Sequence, residues 1–165
     1  GWSGPVKLRV SLARQVLEVR DEEGALLRTY PVSTAAKGAG EVSGSFQTPR
    51  GRHYVRAKIG EGLPTHAVLQ GRRFTGEICT PELQAAEPQR DWILSRILWL
   101  CGREPGFNRL GEVDTMARYI YIHGTADEAA LGTPASHGCI RMGNADIVDL
   151  FEQVPAFTEV EIVED

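Results

Sequence analysis

Val6-Lys7-Leu8-Arg9-Val10-Ser11-Leu12 places an apolar residue at every second position. Successive side chains of an extended chain point to opposite faces, so this stretch reads as a strand with one buried face. The pattern continues outward from it. After a turn at Ala13-Arg14 come Val16, Leu17 and Val19, and after Asp21-Glu22-Glu23-Gly24 come Leu26, Leu27, Tyr30 and Val32. Three short alternating runs separated by turn residues predict an antiparallel meander. The fold class expected is therefore mostly β, a sandwich or meander core with one or two helices.

Beyond the meander, 33–51 is rich in Gly, Ser, Ala and Thr and reads as a loop closing on the turn Thr48-Pro49-Arg50-Gly51. Further strands are expected over 53–59 and 67–70. The segment 74–86, with Gly76 and Pro81, reads as loop. Asp91 has the chemistry of an N-cap for a helix over Trp92–Cys101, with Gly102 as its stop. The region 78–114 is accordingly expected to be an insertion covering one side of the β core, within a single domain spanning 1–165. Tyr119-Ile120-Tyr121-Ile122 is a β-type run ending on His123. Asn144 is expected to cap a helix whose apolar stripe is Ile147, Val148, Leu150, Phe151 and Val154, and Val160, Ile162 and Val163 form a closing strand.

Bulk properties remove several function classes. The chain has 165 residues, 42% of them hydrophobic and 24% charged, and a formal net charge of -4. That balance gives no electrostatic footprint for nucleic acid. No apolar run reaches the roughly 18 residues of a membrane-spanning helix. Residues 1–5 carry no leader-like basic and apolar regions, which favours a cytoplasmic protein, or a periplasmic one if a leader has been removed. The three cysteines, Cys79, Cys101 and Cys139, include no CxxC pair, so neither a disulfide framework nor a zinc ribbon is indicated. Cys79 and Cys101 read as small buried hydrophobes, and His53 and His66 as surface residues.

Cys139 has different neighbours. A thiol acts as a nucleophile only as its thiolate, and a free cysteine has a pKa of about 8.5. A histidine in hydrogen-bond reach can take its proton and return it to a leaving amine. His137 belongs to the same short segment as Cys139, whereas His123 ends a strand-like run. The 12 residues between His123 and Ser136 can return the chain beside it. Gly138 clears space for a substrate carbonyl, and the Gly138 and Cys139 amides are candidate oxyanion donors. His123, His137 and Cys139 are also zinc-ligand types, but no fourth ligand stands at short spacing, so no metal or other cofactor is expected. A papain-like arrangement would place the cysteine before the histidine, the reverse of the order here.

The string Ser136-His137-Gly138-Cys139-Ile140-Arg141-Met142, preceded by His123-Gly124-Thr125, resembles the signature of the YkuD-type L,D-transpeptidases. The likeness extends to the opening meander, the Tyr30-Pro31-Val32-Ser33-Thr34 run and the Thr48–Gly51 turn. It departs in a slightly short spacer between His123 and Ser136, and in Arg141, where the strictest motif has Asn. The resemblance implies attack by Cys139 on the carbonyl of the third residue of a peptidoglycan tetrapeptide stem, releasing terminal D-alanine and leaving a thioester. His123 would be the base, with His137 and Ser136 supporting and Gly138 and Cys139 holding the oxyanion. Attack by an amine would make the enzyme a transpeptidase; attack by water on a muropeptide would make it an L,D-carboxypeptidase. It also implies acylation by carbapenem β-lactams. Arg141 is a candidate clamp for a substrate carboxylate. Gly124 and Tyr121 are candidate cleft residues, strand packing being the plainer reading of Tyr121. The reading from another class is a peptidoglycan-binding module that keeps the fold without catalysis.

Overall fold

Leu8, Val10, Leu17, Val19 and Tyr30, the inward positions of the alternating runs, are each at most 1% exposed. They stand on β1 (Val6–Ser11), β2 (Val16–Asp21) and β3 (Leu26–Ser33), which pair antiparallel in sequence order. The computed structural model describes residues 2–165, and residue 1 lies outside it. The remaining strands are β4 (Gly51–Ile59), β5 (Ala67–Gln70), β6 (Arg73–Ile78), β7 (Ile93–Gly102), β8 (Tyr121–Gly124), β9 (Ile140–Met142) and β10 (Glu159–Val163). Two α-helices, α1 (Pro81–Ala86) and α2 (Asn144–Gln153), complete the regular elements.

The sheet runs β4-β10-β1-β2-β3-β9-β8-β7-β5-β6, and a further pairing of β4 with β7 closes eight of these strands on themselves. Two neighbour pairs are parallel, β1 with β10 and β8 with β9. The interior is filled by the meander's inward side chains, by Ile122, Ile140 and Met142, and by Ile147, Leu150 and Phe151 of α2. Each such side chain contributes about 1.5–3 kcal/mol when fully removed from water, so the barrel interior dominates the favourable side of the fold.

The structure corrects four expectations. Trp92–Cys101 is not a helix: Ile93–Gly102 is β7, hydrogen-bonded to β4, β5 and β8. Its two faces are both covered, Leu98 and Leu100 by the barrel interior and Ile97 and Trp99 by an outer cluster. A strand buried on both sides loses its alternation and cannot be told from a buried helix by period. It follows that 93–102 is part of the sheet and not of a covering insertion, and Asp91 caps nothing. Second, 74–86 is not loop but most of β6 and α1, with Thr80 as the N-cap accepting from the Leu83 amide at 3.1 Å. Third, His53 is not a surface residue; it is fully buried. It shares parity with inward-facing Val55, the one signal in the sequence that pointed there. Fourth, Asn144 is the first residue of α2 and Gly143 its cap. The Asn144 side chain instead donates to the Thr125 carbonyl at 2.8 Å and Glu128 at 2.9 Å, and accepts from Ser95 at 2.7 Å.

Candidate active site

The parallel pairing of β8 with β9 sets Ile122 opposite Ile140 and His123 opposite Arg141. Ile122 and Ile140 point into the barrel, so the alternate residues Tyr121, His123 and Arg141 share the outer face. Cys139, immediately before β9, packs in the outer cluster with Tyr121, Ile97 and Trp99. Residues distant in sequence thus meet because two strands run side by side in one direction.

The Cys139 sulfur accepts from the Tyr121 amide at 3.3 Å and donates to the Tyr119 carbonyl at 3.4 Å. Burial pushes the thiol up to about 11, opposed by the Tyr121 amide and by the cations Arg141 and Arg118. Ser136 shapes the turn that presents it: its hydroxyl donates to the Cys139 carbonyl at 2.6 Å and accepts from the Gly138 amide at 3.2 Å. The Gly138 amide is therefore engaged within the turn, which corrects the expectation that it serves as an oxyanion donor. Gly138 has φ of 127°, a conformation closed to most side chains. Its carbonyl accepts from the Thr48 hydroxyl at 2.9 Å, and Arg118 ties the same loop down by donating to the Gln47 carbonyl at 2.6 Å. Thr48 fell within a noted turn motif, but nothing in its spacing marked the contact with Gly138. Arg118 carried no sequence signal.

His123 is 1% exposed, and its Nδ1 lies 2.7 Å from the Gly124 carbonyl. A carbonyl only accepts, so Nδ1 carries the proton and Nε2 the lone pair. Burial holds the ring's pKa down at about 4, so the imidazole is neutral at ordinary pH. Gly124 keeps this geometry: a Cβ there would meet the Leu94 carbonyl at 2.6 Å and the Asn144 side chain at 2.5 Å. The thiol donates to the Tyr119 carbonyl, and no hydrogen bond among the described residues joins it to His123; thiol and imidazole both rest neutral.

A cavity of about 570 Å³ is lined among others by Asp91, Trp92, Thr125, Asp127, His137 and Arg141; neither Cys139 nor His123 forms part of its wall. His137 is exposed and meets Phe46 edge to face at 5.9 Å. Arg141 donates to the Ala135 carbonyl at 3.4 Å, and none of the ion pairs among the described residues includes it. The structure thus places Ser136, His137, Gly138 and Cys139 on the turn before β9, Arg141 on β9 and His123 opposite Arg141 on β8, with His137 and Arg141 on the cavity wall. Gly124 and Tyr121 do not line this cavity; Gly124 is buried, and Tyr121 is 5% exposed with its ring edge-on to Trp99. Among the described residues no group of three or more His, Cys, Asp and Glu side chains is arranged to hold a metal ion.

A closed β-barrel with a histidine on one strand of a parallel pair and a cysteine leading into the other defines a class that other chains share. Residues 5–162 match the family model for the YkuD L,D-transpeptidase catalytic domain, and the chain belongs to that family. It is 42% identical over 50 residues to the Escherichia coli (strain K12) protein named "Probable L,D-transpeptidase YbiS", covering 30% of this chain and 16% of that one. It is 43% identical over 60 residues to YqjB of Bacillus subtilis (strain 168), which bears an L,D-transpeptidase name of the same provisional kind, covering 36% of this chain and 32% of that one. The matched stretches are thus a third or less of these relatives. Among solved structures, the L,D-transpeptidase of Xylanimonas cellulosilytica superposes with a TM-score of 0.56 at 19% identity, over 98% of this chain and 62% of that one. L,D-transpeptidase 3 of Mycobacterium tuberculosis, solved with a faropenem-derived adduct, gives 0.58 at 16% identity over 96% of this chain and 60% of that one. At these identities the superpositions establish the fold.

Proposed function

We propose that the chain is a cysteine acyltransferase of peptidoglycan stems, cutting between the third residue and terminal D-alanine through a thioester on Cys139. The observation that carries this reading is the His123 ring: buried, fixed by the Gly124 carbonyl through Nδ1, and left with an unprotonated Nε2 on the outer side of the strand pair that Cys139 leads into. With the thiol held near 11 and the imidazole near 4, a resting thiolate–imidazolium pair is disfavoured. The proton therefore moves as the sulfur attacks. Rotation about the Cβ–Sγ bond redirects the S–H from Tyr119 to His123 Nε2, and such catalytic contacts commonly tighten only once substrate is bound. The carbonyl carbon gains the sulfur, the oxyanion is stabilised by the Cys139 amide, and the imidazolium returns its proton to the departing D-alanine amine.

Arg141 gives the cavity its selectivity in this reading. Among the described residues its guanidinium makes no ion pair, so a substrate carboxylate can take it in a bidentate pair. The cavity volume of about 570 Å³ lies within the range of sites that hold small ligands. The solved L,D-transpeptidases include one in complex with imipenem and one with a faropenem-derived adduct. By the same chemistry a carbapenem's strained carbonyl would acylate Cys139.

The thioester can then be taken by water or by an amine. Incubation with a disaccharide tetrapeptide, followed by mass spectrometry, tests the whole reading. Tripeptide product alone identifies a carboxypeptidase and cross-linked dimer a transpeptidase. Unchanged substrate overturns the assignment.

A further inference from the structure

Thr48 is fully buried and makes two bonds through one hydroxyl. Its Oγ1 accepts from the Ala35 amide at 3.0 Å and donates to the Gly138 carbonyl at 2.9 Å. Its backbone is held as well: the amide donates to the Gly38 carbonyl at 3.0 Å, and the carbonyl accepts from the Gly40 amide at 2.9 Å. Pro49 follows, which pushes Thr48 toward extended backbone, and branching at Cβ restricts its rotamer. The hydroxyl is therefore aimed by the chain around it and has little freedom to turn away.

The segment is clamped from its other side. The Arg118 guanidinium donates to the Gln47 carbonyl at 2.6 Å, the Gly40 carbonyl at 3.3 Å and the Ser45 hydroxyl at 3.4 Å. None of the ion pairs among the described residues includes Arg118, so its donors serve this loop. Gly138 lies against the same wall: a Cβ there would stand 3.2 Å from the Gln47 carbonyl oxygen.

A peptide unit is planar, with its C=O and N–H pointing in opposite directions. Fixing the Gly138 carbonyl on Thr48 thus fixes the direction of the Cys139 N–H. That amide is the oxyanion donor left once Ser136 has taken the Gly138 amide. Cys139 stands before the β8–β9 register, which begins at Ile140, and no turn or loop backbone bond among the described residues uses its amide. The bonds form a chain, from the Ala35 N–H to the Thr48 hydroxyl to the Gly138 carbonyl, ending on the Cys139 N–H. Successive bonds in such a chain polarise one another, so the last donor strengthens as charge develops in front of it.

We propose that Thr48 is the positioning residue of the oxyanion site: its hydroxyl orients and polarises the Gly138–Cys139 peptide so that the Cys139 amide meets the oxyanion. This role rests on the reading of Cys139 as the acylated thiol. Arg118 holds Thr48 in place by fixing Gln47. The sulfur's own hydrogen bonds go to Tyr119 and Tyr121 and to neither of these side chains. Thr48 and Arg118 therefore act on acylation and not on the thiol.

Two reactions of Cys139 test this. In acylation by a carbapenem the S–C bond forms, the ring C–N bond breaks and the thiol proton ends on the ring nitrogen, by way of an oxyanion. In alkylation by iodoacetamide the S–C bond forms, iodide leaves and the proton goes to solvent, with no oxyanion. Intact-mass time courses at one pH give both rates. Thr48→Val should slow acylation about 10–100-fold, a share of the roughly 10²–10³ that one oxyanion donor contributes, and leave alkylation unchanged. Thr48→Ser, which restores the hydroxyl, should recover most of the acylation rate. Arg118→Lys, which keeps the charge and loses the fork, should show the same selective loss in smaller measure. If Thr48→Val does not fold, Arg118→Lys decides, and an unchanged acylation rate in it overturns the proposal. Equal loss in both reactions also overturns it, because the thiol itself would then have moved. So does unchanged acylation in folded Thr48→Val, or a Thr48→Ser as slow as Thr48→Val. A parent protein that is alkylated at Cys139 but never acylated fails the acyltransferase reading, an outcome that no comparison among the variants imitates.

Discussion

The Tyr121 amide donates to the Cys139 sulfur at 3.3 Å, so the strand that carries His123 also holds the thiol. Candidate base and candidate nucleophile are both held by one parallel strand pair, and a shift of β8 against β9 would move both. This coupling explains why the region tolerates a buried, uncharged histidine: its position is set by backbone pairing and by the Gly124 carbonyl, and no ion pair is needed.

Cys139→Ala should abolish turnover and the mass adduct formed with a carbapenem, with little change in melting temperature. Cys79→Ala should keep both activities. Intact-mass analysis of parent and variants decides the matter, and an adduct surviving in Cys139→Ala would remove the assignment.

His123→Ala should lower turnover by about 10²–10⁴, the usual contribution of a general base. His137→Ala should lose less, because its exposed ring touches Phe46 and the cavity wall and not the thiol. In the parent the acid limb of kcat/KM should fall near pH 4, where His123 becomes protonated. Alkylation of the free enzyme by iodoacetamide should keep rising to about pH 11. An alkylation midpoint at or below the ordinary thiol value would show a resting thiolate and contradict the concerted transfer.

Stability should fall as the solution is acidified from about pH 6.5 to about pH 4. Both His53 and His123 are held near 4 by burial, below their ordinary value of 6.5. In that window the unfolded chain binds protons that the folded chain refuses, so protonation favours unfolding, and the contribution is complete above about pH 6.5. Each histidine accounts for about 1–3 kcal/mol of the loss. Thermal melts across the window should show His53→Gln, which can still meet Thr115 or the Gly51 carbonyl, losing roughly half of the pH slope. An equal slope in parent and variant would exclude His53 as a source.

Gly124→Ala should destabilise the fold by about 1–3 kcal/mol, since the added methyl overlaps the Leu94 carbonyl, which is backbone and cannot rotate aside. Turnover should fall by more than the loss of folded protein explains, because the Gly124 carbonyl sets the His123 tautomer. Comparison of the melting temperature with activity per folded molecule separates the two effects.

Arg141→Gln should raise KM for a stem carrying a free terminal carboxylate by about tenfold or more, with a smaller change in kcat, as expected for a lost charge-assisted pair. Steady-state kinetics on stems with the terminal carboxylate free or amidated check it. Equal loss on both would show that Arg141 acts only through its bond to the Ala135 carbonyl.

Much of this molecule was legible in the chain because some signals are local. Alternation in Val6–Leu12 and its successors gave the meander, since a strand with one wet face must alternate. Ser136–Met142 and His123–Thr125 pointed to the family and to the residues the site gathers. Other features had no local expression. β7 is apolar on both faces because the barrel lies on one side and an aromatic cluster on the other, and a sequence cannot say which surfaces cover it. His53 is buried because Thr115 and the Gly51 carbonyl satisfy its two nitrogens, a provision made 62 residues away on one side. The Gly138 amide, free on paper, is taken by Ser136 once the turn folds. The Thr48 hydroxyl reaches the Gly138 carbonyl across 90 residues of chain. Local chemistry determined which residues could react; strand pairing in three dimensions decided which of them meet, which are charged, and what stands beside them.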